Sequence, residues 1–196
     1  NMSSSAPLLP EEIHVAAQRG ELPKVVKWLR KGGHVDALFS WEVEGRSLSR
    51  ALLHAAAANG QLAVAKELLK RGATVDLPGS FGDTPLMGAA VRGQPAVLLL
   101  LLEHSANPDL QDDTGLTALM AAAYDGHEAC AKALLRANAN TELRDEEGGT
   151  ALQLAEDKGH TAVAELIRQH TAPPQDPKAK QEAVQAAQAA ADAAMA

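Results

Sequence analysis

Apolar positions along this chain come in short helical bursts that recur at one spacing. Between Asp83 and Leu110, Leu86, Ala89 and Ala90 place small apolar groups on one helical face. Val97, Leu98, Leu101 and Leu102 then mark a second helix. Thr84-Pro85 opens the first: a hydroxyl able to cap, then a proline suited to the first turn. Gly93 ends it, because glycine takes the left-handed conformation of a tight turn. Gln94-Pro95 starts the second helix, and Ser105-Ala106-Asn107-Pro108-Asp109 leaves helix for a turn or hairpin. Gly60, Gly93, Gly126 and Gly159 are 33 residues apart, and the flanking segments keep that period. Two short helices and a turn cannot bury their apolar face alone, so the period predicts units stacked in series.

The pattern resembles the ankyrin repeat. The family's Thr-Pro-Leu-His stands here as Thr84-Pro85-Leu86-Met87, Thr117-Ala118-Leu119-Met120, Thr150-Ala151-Leu152-Gln153 and, degraded, Ala51-Leu52-Leu53-His54. The paired leucines of the second helix are Leu68-Leu69, Leu101-Leu102 and Leu134-Leu135. Gly72-Ala73 matches the family's following Gly-Ala, which drifts to Ser105-Ala106 and Asn138-Ala139. The resemblance implies an all-α solenoid of about five helix–turn–helix repeats with β-turn or hairpin fingers. They fall at about 10–36, 46–78, 79–111, 112–144 and 145–170, within a repeat domain of 10–170. The first repeat departs most. Ile13-His14 to Gly20 aligns with Leu53-His54 to Gly60, yet Gly20 and Gly60 are 40 residues apart, which leaves seven extra residues between Val35 and Arg50. A long, irregular loop is expected over 37–50.

Residues 1–9 read as an N-terminal tail, 171–177 as a proline-rich linker and 178–196 as an alanine-rich C-terminal helix. That last helix is expected either as a solvated tail or docked on the repeats or a partner. Charged first and last repeats suggest a capped array. No run approaches the roughly 18 apolar residues that would cross a bilayer, and no secretory pattern stands out. Cys130 is the only cysteine, so no disulfide forms within the chain. The expectation is an intracellular protein, cytoplasmic before other compartments, without direct membrane insertion.

Candidate chemistry changes the picture little. No His/Cys/Asp cluster has metal spacing, and Glu147-Gly148-Gly149-Thr150 lacks a P-loop lysine. The chain carries a formal charge of −7 and no basic stripe with interleaved aromatics. Neither enzyme activity, cofactor, metal nor nucleic acid is expected. The resemblance implies that His14 and His54 bond between neighbouring turns, and that His127 and His160 belong to the family's Gly-His step.

A protein-interaction module remains, with partners on the finger tips and on the concave face of the first helices, as the family implies. The finger tips are Ser80, Phe81 and Asp83; Asp113, Thr114 and Leu116; and Glu146, Glu147 and Gly149. The concave helix ends are Ala58 and Asn59, Val91 and Arg92, Tyr124 and Asp125, and Asp157 and Lys158. Of five aromatic residues, Phe39 and Trp41 fall in the extra segment, Phe81 on a finger and Tyr124 on the concave side. Phe39 and Trp41 serve either recognition or cover of the first repeats. Mostly acidic charges here favour a partner with a basic contact surface. Leu99-Leu100 form an apolar pair where Lys66-Glu67 stand one repeat earlier, so a convex patch covered by the tail or another subunit is a second candidate. An adaptor or regulatory protein, a subunit docked permanently in a larger assembly, and a segment of a larger enzyme or channel all fit these residues.

Overall fold

A computed structural model describes residues 9–171. The N-terminal tail before Leu9, the proline-rich linker from Ala172 and the alanine-rich segment 178–196 lie outside the described residues. Ten helices among those described come in consecutive pairs: α1 Glu11–Arg19 and α2 Leu22–Arg30, α3 Leu52–Ala58 and α4 Leu62–Lys70, α5 Pro85–Val91 and α6 Pro95–Glu103, α7 Ala118–Tyr124 and α8 Glu128–Arg136, α9 Ala151–Asp157 and α10 Thr161–Thr171. The first helices stack in the order α1, α3, α5, α7, α9, and the second helices α2, α4, α6, α8, α10 form the other layer.

Helices of seven to eleven residues are below the length that holds in water alone, so packing carries them. The sequence makes that packing tight. Ala16, Ala17, Ala56, Ala57, Ala89, Ala90, Ala122 and Ala123 are fully buried, so neighbouring first helices approach closely. Leu68, Leu101 and Leu134 from the second helices fill the space behind them. Three first helices start alike. The hydroxyls of Thr84, Thr117 and Thr150 accept the backbone N–H of Met87, Met120 and Gln153 at 3.3, 3.2 and 3.4 Å, which satisfies a donor that the helix start leaves free.

The recurrent glycine has a second cause besides its left-handed φ. At Gly93 (φ 60°) a Cβ would stand 2.6 Å from Nδ1 of His127, and Gly126 meets His160 in the same way. Each ring lies over the preceding turn because its Nε2–H donates to a carbonyl there: His127 to Val91 and His160 to Tyr124, both at 3.0 Å. A carboxylate ladder runs along the other side. Asp36 accepts the backbone N–H of Thr74 at 3.0 Å, Asp76 that of Asn107 at 3.0 Å and Asp109 that of Asn140 at 2.7 Å.

Two expectations need correction. The extra segment is not an irregular loop but a β-hairpin carried on an otherwise helical solenoid, and Leu99 and Leu100 are not both exposed. Leu38–Val43 (β1) and Arg46–Ala51 (β2) pair antiparallel, with Leu38 opposite Ala51 and Val43 opposite Arg46. Glu44 (φ 50°) and Gly45 (φ 78°) close the hairpin; positive φ at both central residues is the type I′ geometry that suits twisted strands. Phe39, Trp41 and Val43 alternate with Ser40 and Glu42, the period of a two-faced strand. Leu9 donates its N–H to the Leu38 carbonyl at 3.0 Å and is itself buried, so this residue just ahead of α1 is tied to the hairpin.

The second correction concerns Leu99 and Leu100. Leu99 is 48% exposed but Leu100 only 8%, so they form no outward pair. Ala133, at the equivalent position one repeat later, is buried too, and Glu67 one repeat earlier is half-buried.

Candidate functional site

The hairpin bends over the inner face of the first helices and gives the stack a walled groove. Its volume is about 1070 Å³. The floor is α1, α3 and α5, through residues such as Val15, Ala55, Ala58 and Gly88. Beside the floor stand Phe39, Trp41 and Arg50 of the hairpin, then the finger that carries Phe81, then Asp112, Asp113, Thr114 and Leu116 of the next. Floor residues are small because neighbouring first helices must touch, and that leaves room above them.

The hairpin wall is an aromatic stack. The Phe39 ring lies on His14 of α1 at 4.3 Å, nearly parallel, and Trp41 follows Phe39 at 6.0 Å. Arg50, opposite Phe39 in the register, places its guanidinium 6.0 Å from the Trp41 ring and 2.9 Å from Asp83. Asp83 occupies a distinctive place. The other fingers carry their carboxylate four residues earlier, at Asp112 and Asp145, where it accepts N–H groups of its own turn. Here that position is Gly79, and a Cβ on it would meet Asp83 Oδ1 at 2.5 Å. The second finger therefore supplies its carboxylate from the opposite end, and that carboxylate holds the hairpin through Arg50.

Two buried histidines complete the floor. His54 Nε2–H donates to the carbonyl of Asp83 at 3.1 Å, which joins α3 to the next finger. His14 departs from its expected role. Its Nε2 accepts from the Gln18 amide at 3.0 Å within α1, and its ring supports Phe39. Burial pushes both imidazoles below the usual 6.5. For His14 the Arg50 charge adds to that; for His54 the bond to Asp83 opposes it. Both rings are thus neutral at pH 7.

Of the residues singled out from sequence, Phe39, Trp41, Phe81, Asp83, Val91, Arg92, Asp113, Thr114 and Leu116 come together in the groove. Phe81 is 44% exposed and Val91 40%. Ser80 does not join them: its hydroxyl and N–H are spent on Ser49 of the hairpin. Tyr124, Asp125, Glu146, Glu147, Asp157 and Lys158 lie beyond the groove, on the later repeats. Tyr124 is 45% exposed, with the Lys158 ammonium 4.1 Å over its ring. The backbone of Glu146 is tied to Thr114 at 2.9 Å. Leu99 and Leu100 belong to the second-helix layer. Sequence reasoning missed the grouping of His14, Arg50 and His54 around Phe39. The alternation of Phe39, Trp41 and Val43 was the available signal.

Among the described residues no group of three His, Cys, Asp or Glu side chains is arranged to hold a metal, and no helix is long and apolar enough to cross a membrane.

Paired helices stacked at a 33-residue period, with first helices inside and fingers linked edge to edge, define a helical repeat solenoid. The chain matches the family model for ankyrin repeats (3 copies) over residues 13–112 and 94–180 and belongs to that family. No curated protein matches it at a significant level. Ankyrin repeats generally mediate protein–protein interaction, and the family is generally non-catalytic.

Proposed function

We propose that this chain is an adaptor or regulatory protein that holds a protein partner in the groove between the hairpin and the fingers. One observation carries the reading. Exposed apolar side chains, Phe81 and Val91, stand in a concave, preformed groove walled by aromatic rings and rimmed by carboxylates. Aromatic side chains in concave sites are the usual anchors of interfaces. A scaffold already ordered by its neighbours loses little entropy when a partner docks. Convex docking as a fixed subunit has weaker support, because burial of Leu100 leaves Leu99 without a patch.

The test is photo-crosslinking in the native cell extract from a reactive amino acid placed at Phe81 and, separately, at Leu99. The adaptor reading expects a discrete protein adduct from position 81 and none from 99. Adducts from 99 alone would replace it with convex docking.

A further inference from the structure

The hairpin is the feature that the 33-residue period does not require, and its inner face has a definite chemistry. Phe39, Trp41 and Val43 share that face with Arg50, Leu48 and Arg46 opposite them. Burial falls off along the strand: Phe39 rests on His14, Trp41 rests on Phe39, and Val43 at the tip is 46% exposed. Ser80 hydrogen-bonds Ser49, so the hairpin is locked to the finger that carries Phe81. Asp113 in turn donates its N–H to the Phe81 carbonyl at 2.9 Å, which fixes that finger from the other side. Trp41 and Phe81 are therefore two aromatic surfaces on one groove, each held by backbone bonds rather than by contact with the other.

Charge is distributed unevenly beyond them. Arg50 and Asp83 neutralise each other at 2.9 Å. At the hairpin end Glu42, Glu44 and Arg46 are exposed; the next two fingers carry Asp113, Glu146 and Glu147, with Arg144 beside the last two, all exposed. The aromatic groove, where Arg92 stands with Asp112 and Asp113, is thus followed by the carboxylates of the next finger, Glu146 and Glu147, outside it. Packed helices lie about 8–10 Å apart, so one finger step corresponds to about three residues of extended chain.

We infer that the hairpin is the specificity wall of the groove, and that its occupant is a short basic–apolar peptide segment of a protein partner. One aromatic or branched aliphatic side chain enters between Trp41 and Phe81, with exposed Val43 at the hairpin tip covering its outer side. Lysine or arginine about three to six residues to one side meets Asp113, Glu146 and Glu147. This rests on the adaptor reading and deepens it. Charge complementarity sets the sign of the partner, and the aromatic groove sets the anchor.

Selection of a random 12-residue peptide library on the immobilised full chain tests this, followed by affinities of the enriched peptides measured by fluorescence anisotropy. The expected motif is one large apolar residue with Lys or Arg on one side. Val43→Asp and Phe81→Ser are each expected to weaken binding tenfold or more, and both alter exposed side chains that the fold does not need. Glu146→Lys with Glu147→Lys should weaken it several-fold and flatten its salt dependence, while Leu99→Lys leaves it unchanged. Enriched peptides that are acidic, binding indifferent to Val43→Asp and Phe81→Ser, or no enrichment at all would each overturn the inference. An adduct from position 81 in the crosslinking experiment alongside any of those results would leave the adaptor reading standing and sink only this one.

Discussion

Two ways of starting an inner helix stand side by side in this molecule. Before α5, α7 and α9 a short finger ends in a threonine whose hydroxyl caps the helix. Before α3 a hairpin strand runs straight into the helix, and Ala51 at the cap position offers no side-chain bond. The fingers, already bonded within their own turns, are also confined by their neighbours. At Gly115 (φ 77°) a Cβ would stand 2.9 Å from the Cα of Asp145 in the next finger. The hairpin owes its shape to its own register, and among the described residues nothing lies within 4 Å of a Cβ placed on Gly45 at its tip. An element confined by neighbours can be repeated but not elongated. One specified by its own pairing is free to project, and the groove wall is built from it.

The largest expected effect separates the two directly. Gly115→Ala combines a left-handed backbone with a clash against neighbouring backbone and should cost about 2–4 kcal/mol. Gly45→Ala carries the backbone cost alone, about 1–2 kcal/mol. Urea denaturation of both variants decides it; equal losses would mean that the hairpin tip is as confined as the fingers. Next in size, Thr117→Ala should lose about 1 kcal/mol in the same measurement. Ala51→Thr should gain nothing, because β2 already delivers the chain to α3.

A pH series sharpens the comparison from the hairpin side. His14 and His54 are held neutral by burial, below the ordinary value of 6.5. The unfolded chain takes up protons there that the fold refuses, so their contribution is complete above pH 6.5 and is lost as pH falls below it. Both histidines sit under the hairpin, while their counterparts are Met87, Met120 and Gln153. Hydrogen exchange at pH 5 should therefore show earlier opening of α1, the hairpin and α3 than of α7 to α9. His14→Gln with His54→Met should remove the difference. The smallest effect is a null one. Cys130 is buried on α8 and its thiol is pushed up to about 11, so iodoacetamide at pH 8 should label it only as fast as that region opens.

The 33-residue period, the helix pairs and the threonine caps were legible because each is a local pattern of spacing and side-chain type. The hairpin was half legible. Its alternation is plain in Phe39, Trp41 and Val43, but Glu44-Gly45 is a weaker turn signal than Asn-Gly, and the seven extra residues pointed towards irregularity. Leu100 was misplaced because the second helices flank one another, so a position that faces outward on one helix alone is covered in the stack. The groove was legible in its parts through Phe39, Trp41, Phe81 and Val91. Its assembly was not: Arg50 reaches Asp83 and Phe39 reaches His14 only once the hairpin folds back across two repeats. The aspartates at 36, 76 and 109 give no local pattern that marks them as links between fingers. Their bonds to the following finger needed coordinates.

Those carboxylate rungs give the molecule a grain. Asp36, Asp76 and Asp109 each tie one finger to the next and to nothing further. Under tension from its two ends such an array has no long-range clasp to break among the described residues. It should yield like a strip of perforated paper, one tear at a time, and each released 33-residue unit lengthens the tether by roughly 110 Å of extended chain. The hairpin, locked to its own partner strand, would be the tear that needs a harder pull.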